Sequence, residues 1–361
     1  MAESVPTTAA TAESSMSHVS AMDHGLDDMA AVRDACGAFR ETFEMIRSEV
    51  GKVLVGQDEI VEQTLVALFA DGHVLLEGVP GLGKTLLIST LGKVLSMPFA
   101  RIQFTPDLMP ADITGTSIVL EDEVTGHRDF SFRPGPIFHQ LILADEINRA
   151  TPKSQSALLE AMQERSVSVG GQTHRLDRPF LVMATQNPIE QEGTYALPEA
   201  QLDRFLFKIL VPYTTRDELN EIVGRTTRGH VVEVEPIVSG EEIIAAQKLA
   251  KHVIVAPHVQ DYAIRLVMAT HRDGPYAVPD LAKYIHVGVS PRGAQALVSA
   301  GKVMAIIDGR FAVSIRDIRR AALAAMRHRI VRSFEAEADG VTTDDLIHQL
   351  IESTPREMQL D

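Results

Sequence analysis

The chain has 361 residues, of which 45% are apolar, enough for about two domains at roughly 100–200 residues each. A formal net charge of −15 disfavours nucleic acid and anionic membrane as main partners, because both repel it at long range. Cys36 is the single cysteine, which rules out an internal disulfide, argues against a cysteine metal site and fits a reducing, cytoplasmic setting.

Residues 1 to about 38 read as a disordered tail. They are rich in Ala, Ser, Thr and Met, they carry acids from Glu3 to Asp34, and no sustained period appears before residue 28. No basic cluster and no apolar segment marks a secretory signal. No apolar run further on approaches the roughly 20 residues needed to span a bilayer, so no membrane insertion is expected.

From Glu41 the pattern is globular. Gln57 to Ala70 predicts a helix with Val61, Leu65 and Leu68 on one face. His73 to Glu77 predicts a short buried strand, and Lys84 to Leu95 a helix with Leu87, Leu91, Val94 and Leu95 on one stripe. Phe99–Phe104, Leu141–Ala144, Phe180–Ala184 and Phe205–Val211 read as further strands. Such alternation argues for a mostly parallel sheet covered by helices on both faces, an α/β core.

Two hairpins interrupt the alternation. One runs from Ser117 to Leu120 and returns through Phe130 and Phe132; the other pairs Ser166–Val169 with Thr173–Leu176 across Gly170-Gly171. After Pro212 strand signals fade. Helical stretches at 215–224, 241–253, 258–271, 291–306 and 315–329 make a second, helical domain. The expected organisation is a tail over 1–38, a core over 39–213 and a helical lid over 214–361.

Gly78-Val79-Pro80-Gly81-Leu82-Gly83-Lys84-Thr85 fits G-x-x-x-x-G-K-[ST]. Glycines let successive N–H groups turn onto phosphate oxygens, and the following helix adds its positive end. Lys84 can reach the β- and γ-phosphates, and the Thr85 hydroxyl can bind Mg²⁺. A chance glycine turn is opposed by the context: a buried-type strand precedes the loop and an amphipathic helix follows. No lysine is followed two positions later by Asp, so the guanine-reading pattern is missing and adenine is expected.

Gln140 to Ala144 is an apolar strand that ends in Asp145 and Glu146. Beside the loop, Asp145 would hold the metal's water shell and Glu146 would orient the attacking water. Acids capping an exposed strand end are common, so this motif draws its weight from the loop. Asn187 follows the strand ending at Thr185, where ligands of open α/β sheets collect; a plain Asn-Pro turn explains it nearly as well.

Ser290-Pro291-Arg292 predicts a helix start. A cation in a first turn is opposed by the helix dipole, by about 0.3–1 kcal/mol, which a bound anion would offset. A solvated surface arginine is the alternative. Arg204, just before the last strand, can pair with Asp203 instead. Arg149 is weaker evidence still.

Together Gly78–Thr85, Ala144–Ala150, Ala184–Pro188, Leu197–Phe205 and Ser290–Arg292 resemble the AAA+ ATPases, and within them the MoxR family. The resemblance covers about residues 41 to 355. It implies that Val55, Gly56 and Gln57 pack near adenine, and that Gly78, Pro80, Gly81, Leu82, Gly83, Lys84 and Thr85 cradle the phosphates of ATP with Mg²⁺ on Thr85 and Asp145. It implies Asn187 as a first sensor, Arg292 as a second on the lid, and Arg204 as a finger given to the neighbouring subunit's ATP. It further implies a homo-oligomeric ring, usually a hexamer, and a von Willebrand factor A partner. The expected work is chaperone-like remodelling or activation of a protein complex or metalloenzyme. A magnesium-chelatase-type motor subunit shares the hairpins and is the nearest alternative. A small-molecule P-loop kinase and a nucleotide-gated scaffold are more distant; the Asp145-Glu146 pair opposes the scaffold.

Overall fold

The computed structural model describes residues 29–79, 81–121, 128–188, 193–227 and 232–356. Its centre is a five-stranded sheet: β1 (Val74–Glu77), β2 (Phe99–Gln103), β5 (Leu141–Asp145), β8 (Leu181–Gln186) and β9 (Phe207–Leu210), in the order β2-β5-β8-β1-β9. Every pairing is parallel, with Val74 beside both Met183 and Phe207. Leu141 to Ala144 and Leu181 to Thr185 are buried throughout, as strands covered on both faces must be.

The pleat sorts side chains between two cores. Val74, Leu76, Leu141, Leu143, Leu181 and Met183 join one cluster, and Leu75, Ile142, Ala144, Val182 and Ala184 join the other. On the first side lie α1 (Met29–Gly51), α2 (Asp58–Phe69) and α3 (Lys84–Val94), in continuity with the lid. On the second lie α4 (Pro152–Glu164) and, from the second hairpin, Val167.

Both predicted hairpins form. β3 (Gly115–Glu121) pairs with β4 (Arg128–Pro134), and β6 (Ser166–Val169) with β7 (Gln172–Arg175). They meet where the Phe132 and His174 rings stack, with centroids 3.9 Å apart.

The tail expected over 1–38 is corrected at its C-terminal end. Residues 29–38 belong to the 23-residue helix α1. Val32, Ala35, Cys36, Phe39, Phe43, Ile46 and Val50 form its buried stripe, at spacings of three and four. Composition outweighed that period because the stripe begins among small and acidic residues. Residues 1–28 lie outside the described residues.

The lid comprises α5 (Arg216–Thr226), α6 (Gly240–His252), α7 (Pro257–Met268), α8 (Pro291–Ile307), α9 (Ile315–Met326) and α10 (Thr343–Ser353). It is tied to the core at several points. Gln247 donates to the Leu68 carbonyl at 2.8 Å and Arg327 to that of Lys208 at 3.2 Å. No helix among the described residues is long and apolar enough to cross a membrane.

Candidate active site

Every strand of the sheet points its C-terminal end the same way, so the segments after β1, β5 and β8 emerge side by side. Gly78 follows β1, Asp145 closes β5, and Asn187 follows β8, buried. Pro80 lies outside the described residues. Gly81 and Gly83 have φ of 85° and 76°, values that L side chains rarely adopt, so the loop curls as the glycine pattern requires. Gly83 caps α3 without any side-chain hydrogen bond, which leaves the helix's first N–H groups for another acceptor. Thr85, in that first turn, is exposed.

Lys84 Nζ donates to the Gly78 carbonyl at 2.6 Å, folded back across the loop. Burial lowers its pKa, and Asp145, Glu146 and Glu77 oppose that shift. The ammonium therefore lies within the field of the acid pair.

Asp145 Oδ1 accepts from the Thr185 hydroxyl at 2.7 Å, and Oδ2 from Arg101 at 2.6 Å. Glu146 has φ 56° and ψ 50°, a left-handed conformation for a residue with a side chain. Such strain costs on the order of 1–3 kcal/mol and collects at functional positions. Two contacts hold it: the Glu146 N–H donates to Thr185 Oγ1 at 2.8 Å, and its carboxylate accepts from Gln103 at 2.8 Å. Arg149 adds an ion pair at 3.2 Å. Arg101, Gln103 and Thr185 were missed in the sequence. They lie on β2 and β8, the two strands flanking β5, and only sheet order brings them to the acids.

The residue types suit Mg²⁺, which takes oxygen ligands and keeps much of its water shell. Asp145 retains unshared lone pairs beside its two bonded donors. No cluster of three or more His, Cys, Asp or Glu suited to a metal occurs among the described residues, and Thr85 and Asp145 are oxygen donors of the kind Mg²⁺ takes.

Val55, Gly56 and Gln57 form the turn between α1 and α2. Gln57 Nε2 donates to the Leu82 carbonyl at 2.7 Å and so braces the phosphate loop from outside. A Cβ on Gly56 would sit 2.1 Å from Glu218 of α5, so this glycine admits the lid helix.

Arg204 and Arg292 meet elsewhere. With Asp203, Arg165 and Arg329 they line a cavity of about 290 Å³, and no phosphate-loop residue among those described lines it. Arg292 sits on the lid, as expected, in the first turn of a lid helix. Asp203 ties the group together: Oδ1 accepts from Arg329 at 2.7 Å and Oδ2 from the Ser290 hydroxyl at 2.8 Å. Ser290 caps α8, whose first turn carries Arg292. Arg204 donates to the Leu159 carbonyl at 2.6 Å, and its buried Nε has no partner.

Residues 73–207 match the ATPase family associated with various cellular activities (AAA), and residues 280–350 match the AAA lid domain. The chain is 43% identical to Chaperone MoxR1 of Mycobacterium tuberculosis, over 86% of this chain and 81% of that protein. It is 32% identical to Protein MoxR of Methylorubrum extorquens, over 88% and 96% respectively. The chain belongs to the MoxR family of AAA+ ATPases. A solved structure from Cytophaga hutchinsonii, reported as a candidate ATPase, matches this MoxR-family chain with a TM-score of 0.82 and 40% identity. It covers 89% of this chain and 96% of its own. The MoxR-family core and lid are therefore those expected from the motifs.

Proposed function

We propose that this chain hydrolyses Mg·ATP and couples turnover to chaperone-like remodelling, maturation or activation of a protein complex or metalloenzyme. The observation that carries the reading is the convergence of the phosphate loop, the Asp145-Glu146 pair and Asn187 at the ends of three adjacent strands. Lys84 leaves the Gly78 carbonyl and takes the β- and γ-phosphates. Glu146, freed from Gln103, orients and polarises the attacking water, with Asn187 as a second polar contact. Thr85 and Asp145 would hold Mg²⁺, which would supply charge neutralisation at the phosphates.

Arg204 and Arg292 then serve the ATP of a neighbouring subunit in a homo-oligomeric ring, a hexamer in this reading. Their shared cavity, lined by no phosphate-loop residue among those described, supports that assignment. A von Willebrand factor A protein is the proposed partner and the cytoplasm the proposed setting. Burial pushes the Cys36 thiol up to about 11, so it is inert there. The relative named as a chaperone supports the remodelling half of the proposal.

The test is Glu146→Gln. It should bind ATP, release phosphate slowly and retain client proteins on affinity isolation. Wild-type phosphate release by this variant would sink the hydrolytic assignment.

A further inference from the structure

The chain's charge is −15, yet one face of the lid gathers arginines. Arg316, Arg319 and Arg320 project from one side of α9 at spacings of three and four. With His348, Glu352 and Arg356 they rim a cavity of about 620 Å³ between α9 and α10, over Ile315, Leu323 and Ile351. A second cavity of about 500 Å³ adjoins it and shares Arg316 and Arg320. It adds Arg40 and Arg47 of α1 and Arg310. Glu352 in the first cavity and Glu44, Glu62 and Asp308 in the second also line them, so arginines outnumber carboxylates across the two, and the apolar floor lies mainly in the first.

Internal ion pairing accounts for only part of this charge. Arg319 pairs with Glu352, Arg320 with Glu62 and Asp308, Arg310 with Asp308 and Asp317, and Arg47 with Glu44 and Glu62. Arg40, Arg316 and Arg356 make no hydrogen bond or ion pair among the described residues. Arg356 is nonetheless positioned, because the carbonyl of the preceding Pro355 accepts from Arg265 at 2.8 Å. Like charges held this close repel one another, and an anionic partner would relieve that repulsion.

We infer that this cleft is a docking site for an acidic segment of a separate protein, one whose Asp or Glu residues are interleaved with aliphatic ones. The apolar floor fits aliphatic side chains, and the guanidinium rim fits carboxylates bidentately. A nucleic acid presents no aliphatic side chain to that floor, and the whole chain's charge opposes a long polyanion. The cleft touches none of the residues assigned to ATP, so a partner here would report to the ring through the lid. Arg320–Glu62 and Arg47–Glu62 join lid, α1 and α2 at its edge.

The probe is a fluorescein-labelled 16-residue peptide with Glu and Leu at helical spacing, titrated with full-length protein and read by anisotropy. Binding should weaken steeply with salt. The double variant R316E/R356E, at positions without partners among the described residues, should loosen it at least about tenfold, the scale of close interfacial charge pairs. Basal ATP hydrolysis should be unchanged, which separates this surface from the catalytic assignment and shows that the variant folds. Equal binding of the Glu→Gln peptide, or no loss in the double variant, would overturn the proposal. So would tighter binding of a single-stranded oligonucleotide or of polyphosphate. Protein that binds the peptide only after removal of residues 1–28, which carry several acids and no Lys or Arg, would assign the cleft to the chain's own N-terminus instead.

Discussion

The phosphate-loop region and the Arg204 region are built with opposite logic. At the loop a single lysine faces Asp145 and Glu146, and hydrogen bonds from Thr185 and Gln103 hold those acids. Around Arg204 two carboxylates, Asp71 and Asp203, serve a cavity lined by Arg165, Arg204, Arg292 and Arg329. One region has acids, glycines and helix N–H groups, and its arginines, Arg101 and Arg149, are paired to those acids. The other has four arginines against two carboxylates. That excess of cations in the second region is the physical argument for proposing a site completed between two copies of the chain.

The largest effect should come from separating the halves. Arg204→Ala should lower turnover by about 10³–10⁵, the range for an arginine that stabilises a transferring phosphoryl group. Mixed with Glu146→Gln it should regain activity, peaking at intermediate ratios in a phosphate-release assay. Activity that stays at the sum of the two parents, with mixed rings seen by native mass spectrometry, would break the comparison.

Glu146→Gln alone should slow turnover by about 10²–10⁴ while calorimetry finds ATP affinity intact. Lys84→Ala should instead lose tight ATP binding in the same titration, since it removes the cation at the phosphates. A Lys84→Ala protein with unchanged affinity would remove the lysine from the loop's function.

Asp203 tests whether the second region is held as a unit. Asp203→Ala strands the buried Arg329, and leaving one charge of a buried pair alone costs about 3–5 kcal/mol. Thermal unfolding should register that loss. Arg204→Ala, which removes one hydrogen bond to the Leu159 carbonyl, should cost far less stability than it costs activity. Equal losses of stability in the two variants would make Arg204 merely structural.

The smallest effect concerns pH. His73 also lines the arginine cavity. It accepts the Val182 N–H on Nδ1 and donates Nε2–H to the Met162 carbonyl. Burial first, and then Arg165, depress its pKa from 6.5 to about 4. The unfolded chain therefore takes up a proton that the native state refuses. This contribution is fully present above about pH 6.5, is lost as pH falls toward 4, and levels off below that. At about 1.4 kcal/mol per pH unit the loss is about 3 kcal/mol. Burial lowers His328 in the same direction. Urea unfolding of His73→Gln across this window should show a flatter fall than wild type. Parallel curves would mean that His73 is protonated in the native state.

Contiguous chemistry was legible. Gly81, Gly83, Lys84 and Thr85 are neighbours in sequence, and the backbone angles they permit are local, so the loop's shape needed no tertiary information. The apolar runs at Leu141–Ala144 and Phe180–Ala184 likewise announce buried parallel strands. Helix α1 was legible in period but obscured by composition, because Ala35 and Cys36 hold its stripe beside Arg33 and Asp34. Gln103 and Arg101 gave no signal at all. A polar residue at a strand end reads as a solvated terminus until the neighbouring strand is known to be β5.

What the sequence alone determined is therefore the local machinery: a phosphate loop, an acid pair at a strand end, two hairpins, and a helical segment after them. Only the tertiary structure decided which groups face one another. Sheet order set Gln103 and Thr185 against Glu146, and lid docking through Asp203 drew Arg292 to Arg204. The reason is geometric. Backbone preference and side-chain period act over a few residues, whereas the partners of Glu146 and Asp203 are separated from them by about forty to well over a hundred positions, distances that only strand pairing and helix packing close.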